Sequence, residues 1–487
     1  MGKQSLKDKT IKGLFWGGFS NGIQQLLNLL FGIFLARILN ADDYGMVGML
    51  TIFSLIAASI QESGFTAALA NKKTIRHEDY NAVFWFSVLI SLSLYIILFF
   101  CAPLIAEFYN TPALTTLARY SFLGFFFSAL GTAHHAYMFR NLMVKQKAIT
   151  MIISLILSGT VGITLAFLGM SYWGIATQNI VYIISVSTCY WLFSPWRPTF
   201  QLNFKPLKGM IGFSSKLLVS NIFVHINNNL FSVLLGKYYS EKEVGYFTQA
   251  NKWNNMGHSF ATGMLQGVSQ PVLAQMKGDI NRQRNAFRKM LRFTAFVSFP
   301  MMFGLSFVSR ELIIIAITDK WLPAVDIMQL LCVGGAFIPI IRLYSNLMIS
   351  KDKSGVYVWN TICACLVQLA AMLLLYPYGI QTMLTSYVII NTCWLFVWHH
   401  YLQREIKLSL LTAFKDVLPF AGIAALTILT THFITLKIEN IYWLLAGKIG
   451  ITAILYTFVL WICRAKILRE SISFLFKRKP KHSFDEN

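Results

Sequence analysis

Three stretches of otherwise apolar sequence carry amides and bases at helical spacing, and these side chains are equipped to bind something. Asn21, Gln25 and Asn28 stand four and three residues apart, with Gln24 beside them, so one helix face would present them as a column. Asn221, His225 and Asn228 repeat that column at an offset of 200, with Asn229 alongside. A third stretch is denser still: Gln249, Asn251, Lys252, Asn254, Asn255 and His258. Four bases fall inside apolar runs, namely Arg119, Lys216, Lys252 and Arg342. Amides bond hydroxyls and carbonyls, whereas Lys and Arg meet phosphate or carboxylate. The one clear carboxylate within such a run is Glu62. This inventory suits a large, hydroxylated, anionic ligand and not a cation.

Each of these residues also has a plainer use. Asn and Gln bond across neighbouring membrane helices and can serve only to hold them together. A base within about two turns of a helix end can reach lipid headgroups, which fits Arg119. Against that, a charge at the bilayer centre costs about 2.5–3.5 kcal/mol, so it needs a task. Arg342 precedes Lys351 by nine residues, roughly 13 Å along a helix. The alignment of the two columns and the depth of Lys216, Lys252 and Arg342 favour a shared polar cavity lined by Asn21, Gln25, Asn28, Lys216, Asn221, His225, Asn228, Lys252, Asn255 and Arg342. Arg119 is a further candidate. His134-His135, near the end of a run, reads as an interfacial pair before it reads as a proton relay.

The elements that must position these groups are membrane helices. Of the 487 residues, 56% are hydrophobic and only 13% charged, against roughly 25% charged in a soluble domain. A span needs about 20 mostly apolar residues. Candidates are 12–38, 44–66, 82–105, 113–138, 148–169, 171–193, 209–235, 244–268, 286–308, 323–348, 355–376, 379–401, 411–434 and 441–463. The expectation is an all-α polytopic membrane protein of about fourteen spans. The connectors are short, and none has room for a soluble domain. The longest outward connector, about 309–322, offers Arg310, Glu311, Asp319 and Lys320, which is thin for a catalytic site.

Lys and Arg outnumber Asp and Glu by 42 to 20. The bases lie between apolar runs and not on one face, so they signal topology and no nucleic-acid partner. Alternate connectors and the tail hold 31 of the 42; the opposite set holds only Arg37, Lys237, Lys242, Arg310, Lys320, Lys437 and Lys448. Both termini are therefore expected in the cytoplasm. The basic tail after residue 464 reads as an anchor on anionic lipid. Amides interrupt the first apolar run and no small-residue cleavage site follows it, so no signal peptide is expected. The seven cysteines sit within apolar runs without a CxxC pair or a His/Cys cluster, so no metal or cofactor is expected.

The offset of 200 extends beyond the columns. Leu30-Phe31 answers Leu230-Phe231, Arg37 answers Lys237 and Gly45 answers Gly245; with a small slip, Pro112-Ala113 answers Pro323-Ala324 and Asn141-Leu142-Met143 answers Asn346-Leu347-Met348. Each repeat holds six spans, so the halves face the same way, a transporter architecture. This divides the chain into halves at 1–205 and 206–405, two extra helices at 406–463 and the tail at 464–487.

Five segments then carry a family resemblance: LNADDYGMVGM at 39–49, GFTAALANKK at 64–73, APLIAEFYNTPALTTL at 102–117, FRNLMVKQKA at 139–148 and WRPTFQLNF at 196–204. Val244-Gly245-Tyr246 and Lys320-Trp321 continue it. The chain resembles the polysaccharide-transport and O-antigen flippase branch of the multidrug/oligosaccharidyl-lipid/polysaccharide exporter superfamily, colanic acid exporters above all. It departs where relatives carry an acid near Phe231 and a Phe-Pro pair at Gln270-Pro271. The resemblance implies a V-shaped alternating-access fold. It also implies a non-enzymatic flippase for undecaprenyl-diphosphate-linked oligosaccharides, with membrane lipids, a polysaccharide polymerase and chain-length machinery as candidate partners. Coupling to an ion gradient or to the membrane potential is left open. The rival readings are a drug/cation antiporter of the same superfamily, which would need buried carboxylates, and a membrane glycan polymerase or ligase.

Overall fold

A chain in lipid must satisfy its backbone within each segment, and the helix does this without help from neighbours. The computed structural model describes residues 6–62, 64–72, 74–266, 269–276, 278–465 and 467–468, and among them there are only helices, turns and loops. The first half of the order is α1 (Leu6–Ile38), α2 (Ala41–Glu62), α3 (Phe65–Asn71), α4 (His77–Phe108), α5 (Leu114–Arg140), α6 (Val144–Phe167), α7 (Ser171–Phe193), α8 (Lys208–Tyr238) and α9 (Glu241–Gln266). Then come α10 (Ser269–Gln275), α11 (Ile280–Phe307), α12 (Ser309–Ile317), α13 (Pro323–Gly335), α14 (Ile338–Ser350), α15 (Ser354–Leu375), α16 (Ile380–Ile406), α17 (Leu410–Thr435) and α18 (Ile441–Ile462). Among the described residues, nine helical segments are long and apolar enough to cross a membrane. The long helices α1, α5, α7, α8 and α9 fall outside that set. Three of them, α1, α8 and α9, are the ones whose polar residues lower the hydropathy.

The second expected span ends early. It stops at Glu62, which is exposed, and Gly64 turns the chain with a φ of 66° into the short α3. The span expected at 323–348 is two helices, α13 and α14, parted just before Pro339. Proline withholds the amide hydrogen that a continuous helix would need. The connector expected at 309–322 is mostly α12. Most of the basic tail, with Lys3, Lys73 and Lys277, lies outside the described residues.

The chain forms two compact units that part between Gln249 and Ala250, inside α9. The repeat border at 205/206 is a feature of the sequence; in space α8 packs on α2 within the first unit. That unit is held at one end by a cluster in which Phe65 and Leu69 of α3, Val83 and Phe84 of α4, Ala133 and Ala136 of α5 and Trp196 bury one another. In it α1 is seated on α6, where Gly159 leaves room for the Phe31 ring; a Cβ at Gly159 would lie 2.5 Å from that ring.

In the second unit the last two helices are fastened by charge. Arg288 of α11 donates to both oxygens of Asp416 in α17, at 2.6 and 3.0 Å, with Arg292 at 3.7 Å. Lys448 of α18 donates to Glu311 of α12 at 2.8 Å, and both side chains are buried. Removing one member of a buried pair costs about 3–5 kcal/mol because the other charge is stranded. Tyr456 adds a bond from α18 to the Phe296 carbonyl at 3.0 Å.

Candidate functional site

The column on α1 lies where the sequence places it. Asn21, Gln25 and Asn28 are all exposed, whereas Ser20 is buried and accepts from Gln24 at 2.7 Å. Leu26, Leu30 and Phe34 are also exposed, at 61%, 52% and 51%. At about 100° per residue those three occupy the opposite side of the helix from the amides. One side of α1 is therefore apolar enough for lipid and the other is polar and open.

The polar side does not stay open. Continuing along the same face, Gly32, Leu35 and Ala36 are buried. The column on α8 behaves identically. Asn221 and Asn228 are exposed and His225 is half-buried, then Leu235 and Gly236 on the same face are buried. Lys216 sits in α8 five residues before Asn221. So both faces are exposed over their middle turns and buried over their last.

Leu35 buries itself with Ala166 of α6 and Ile175 of α7, and beyond these ends α2 and α9 cross at their starts. A Cβ at Gly45 would fall on the carbonyl of Glu241, and a Cβ at Gly245 would fall on the carbonyl of Ala41. The relation is reciprocal and keeps the repeat offset: Ala41 with Gly245, Glu241 with Gly45. One turn on, a Cβ at Gly48 would lie 2.9 Å from the Thr248 hydroxyl. Backbones approach this closely only where side chains are absent. Gly236 of α8 packs beside Tyr109 and Met49 in the same way, and Lys237 donates to the Phe108 carbonyl at 2.7 Å. Sequence reading found the Gly45/Gly245 match without seeing that the two glycines meet opposite backbones.

The second unit presents its own polar face. Lys252, Asn255, Ser259 and Thr262 follow at intervals of three and four, so they share one side of α9; Asn255 and Ser259 are exposed. His258 stands beside this stripe, with its Nε2 3.0 Å from the Asn255 oxygen. Thr262 reaches a small pocket of about 90 Å³ that Arg342, Ser345 and Asn346 of α14 also line. Arg342 is exposed, and Asn346 is anchored by donating to Ser269 at 2.7 Å. Asn254 points elsewhere, buried against Gly335.

Arg119 is engaged apart from these faces. Its Nε donates to the Phe99 carbonyl at 3.2 Å and its guanidinium lies over the Phe99 ring, so α5 spends it on α4. His134 is fully buried among Trp191, Trp196 and Phe84. Three charged groups inside helices were missed. Glu311, read as a connector residue, is buried in α12. Lys448, read as a connector base, is seven residues into α18. Asp416 is buried in α17. Lys448 lies well inside the apolar run at 441–463, which was the available signal.

Among the described residues, no group of three or more His, Cys, Asp or Glu side chains is placed to hold a metal ion. The described side chains of these faces offer hydrogen bonds and positive charge.

The comparisons agree with this architecture. A family described as polysaccharide biosynthesis protein matches residues 34–326, more than half of the chain. The teichuronic acid biosynthesis protein TuaB of Bacillus subtilis is 22% identical over 466 residues, 94% of this chain and 96% of the relative. The lipopolysaccharide biosynthesis protein WzxC of Escherichia coli is 23% identical over 356 residues, 72% and 71% of the two chains. Among solved structures, the lipid II flippase MurJ in an inward closed conformation superposes with a TM-score of 0.74 at 17% identity, over 96% of this chain and all of that one. That likeness carries the fold: helical, multi-pass and exporter-like.

Proposed function

The chain belongs to the polysaccharide biosynthesis protein family, and from that premise we propose that it is a flippase for undecaprenyl-diphosphate-linked oligosaccharides. It carries them from the cytoplasmic to the outer leaflet of the bacterial inner membrane for surface polysaccharide synthesis. Moving a diphosphate and several sugars through hydrocarbon unaided costs on the order of tens of kcal/mol. The observation that carries the proposal is the pair of repeat-related faces on α1 and α8, polar and exposed over their middle turns and buried over their last. A polar surface that meets a sealed stretch on one side is what alternating access requires.

The fourteen spans comprise the nine apolar segments with α1, α5, α7, α8 and α9. The base-rich connectors face the cytoplasm, so both termini lie there and the exposed columns of α1 and α8 lie on the cytoplasmic side of their buried turns. The repeat halves are 1–205 and 206–405, with 406–463 added and 464–487 as the tail. Asn21, Gln25, Asn28, Asn221, His225 and Asn228 bond sugar hydroxyls. In the second unit Lys252, Asn255 and Arg342 suit the diphosphate, and Lys216 of α8 remains a candidate for it by its charge. Arg119 acts on the fold, through Phe99.

A cation antiporter is less well supported. The buried carboxylates of the second unit, Glu311 and Asp416, are both committed to bases. An enzymatic reading gains little from α12, where Glu311 is bound to Lys448 at 2.8 Å. Partners in polymerisation and chain-length control belong to the same proposal.

Deleting the chain from its host is the test. Lipid-linked repeat units should accumulate on the cytoplasmic side and surface polysaccharide should fall. Normal appearance of those units outside would remove the flippase reading.

A further inference from the structure

The connector from Ser194 to Leu207 does not hang in water. Thr199 donates its backbone N–H to the Asn81 side-chain oxygen at 2.9 Å, and the Asn81 amide donates to the Gln201 carbonyl at 2.8 Å. The Trp85 indole donates to the Thr199 carbonyl at 2.7 Å. Two γ-turns, Gln201 N–H to Thr199 carbonyl and Asn203 N–H to Gln201 carbonyl, satisfy further groups. The segment is thus clamped onto α4 with alternate backbone groups paired, which is what an irregular chain needs where water is scarce.

Asn81 and Trp85 are one turn apart on a single face of α4. The same face continues with Leu89, Leu92 and Ile96, which are 45%, 43% and 48% exposed. Such a stripe on a membrane helix meets lipid. The connector therefore occupies, over the first turns of α4, the place that lipid occupies farther along.

Its side chains fit that position. Phe200, Leu202 and Phe204 alternate with Gln201 and Asn203, and Phe200 and Leu202 are 95% and 64% exposed. The Phe200 ring lies 5.5 Å from the Trp85 ring at the foot of the stripe. Arg197, Lys205 and Lys208 flank the run, all exposed, and residues 194–208 contain no acid. Aromatic side chains at a span boundary beside Lys and Arg match the apolar margin and anionic headgroups of a bilayer.

We propose that residues 197–208 form a membrane-surface anchor, inserting Phe200 and Leu202 at the bilayer margin while Arg197, Lys205 and Lys208 bind anionic phospholipid headgroups. The partner is the lipid surface itself. The inference uses the membrane reading but not the flippase reading, and its test involves no transport.

The test places an environment-sensitive fluorophore on Phe200→Cys or, separately, on Gln201→Cys, in full-length protein with the exposed Cys363, Cys393 and Cys463 changed to Ser. Each is reconstituted in phosphatidylcholine vesicles with or without phosphatidylglycerol. At position 200 emission should shift to the blue, and a lipid-borne quencher should act several-fold more strongly there than at position 201. Adding phosphatidylglycerol should increase the difference, and Arg197→Gln with Lys205→Gln and Lys208→Gln should abolish that increase. Equal, water-like emission at both positions would overturn the anchor. Protection of position 200 only on adding a membrane extract would also overturn it, and would give the surface to a protein partner instead.

Discussion

The middle and the last turns of α1 and α8 belong to the same helices and obey opposite rules. In the middle, amides on one face stand exposed in register with their repeat partners. Toward the ends, the same face carries buried glycine, alanine and leucine, and the starts of α2 and α9 cross with backbone against backbone. The difference teaches where each kind of residue belongs in a path that opens at one end at a time. On the proposed function, polar side chains mark where the ligand is expected, and absent side chains mark where the path is expected to close.

The comparison breaks most severely at the crossing. Gly45→Leu or Gly245→Leu puts a side chain onto a backbone carbonyl that cannot move aside alone. Overpacking costs about 1–3 kcal/mol or more. Surface polysaccharide should fall more than about tenfold with the protein still inserted, and normal export from both variants would show that the crossing does not gate. On the polar face of the second unit, Lys252→Ala and Arg342→Ala each remove a charged hydrogen-bond donor worth about 1.5–3 kcal/mol, so export in a complementation assay should drop about 10–100-fold. Normal export in both variants would remove them from the diphosphate site.

Smaller changes sharpen the comparison. Replacing Asn28 or Asn228 with Leu loses a neutral hydrogen bond of about 1 kcal/mol, so each should cut transport about fivefold, and by similar amounts if the faces are equivalent. A defect at only one position would deny their equivalence. Least of all, Gly48→Ala first meets the Thr248 hydroxyl and a Val244 methyl. Side-chain rotation relieves that contact, so export should stay within about twofold of normal. A loss as large as that of Gly45→Leu would show that the whole helix face, and not the reciprocal glycine contact, sets the closed end.

Much of this was legible in the sequence, for identifiable reasons. The helices are written in apolar runs whose length the bilayer fixes, and the Asn21 and Asn221 columns are visible because polar residues inside such runs are rare. The break before Pro339 and the turn at Gly64 were not anticipated, since an apolar window averages over a single Pro or Gly. Glu311 and Lys448 were assigned to connectors because each lies near a span end, where sequence alone cannot tell an exposed charge from a buried pair 137 positions apart. Arg119 looked like a cavity residue until the Phe99 carbonyl supplied its partner. The crossing was half legible: the self-match of Gly45 and Gly245 was on the page, but a glycine meets a distant backbone only in three dimensions.

One measurement tests the sealed and open ends together. Single cysteines replace Asn28, Asn228, Leu35 or Leu235 in a chain whose exposed native cysteines are Ser, and a membrane-impermeant maleimide is applied from either side of oriented vesicles. The account predicts rapid labelling at 28 and 228 from the cytoplasmic side only, with 35 and 235 protected from both sides. Labelling of 28 and 228 from the outside alone, or equal labelling at all four positions, would contradict it.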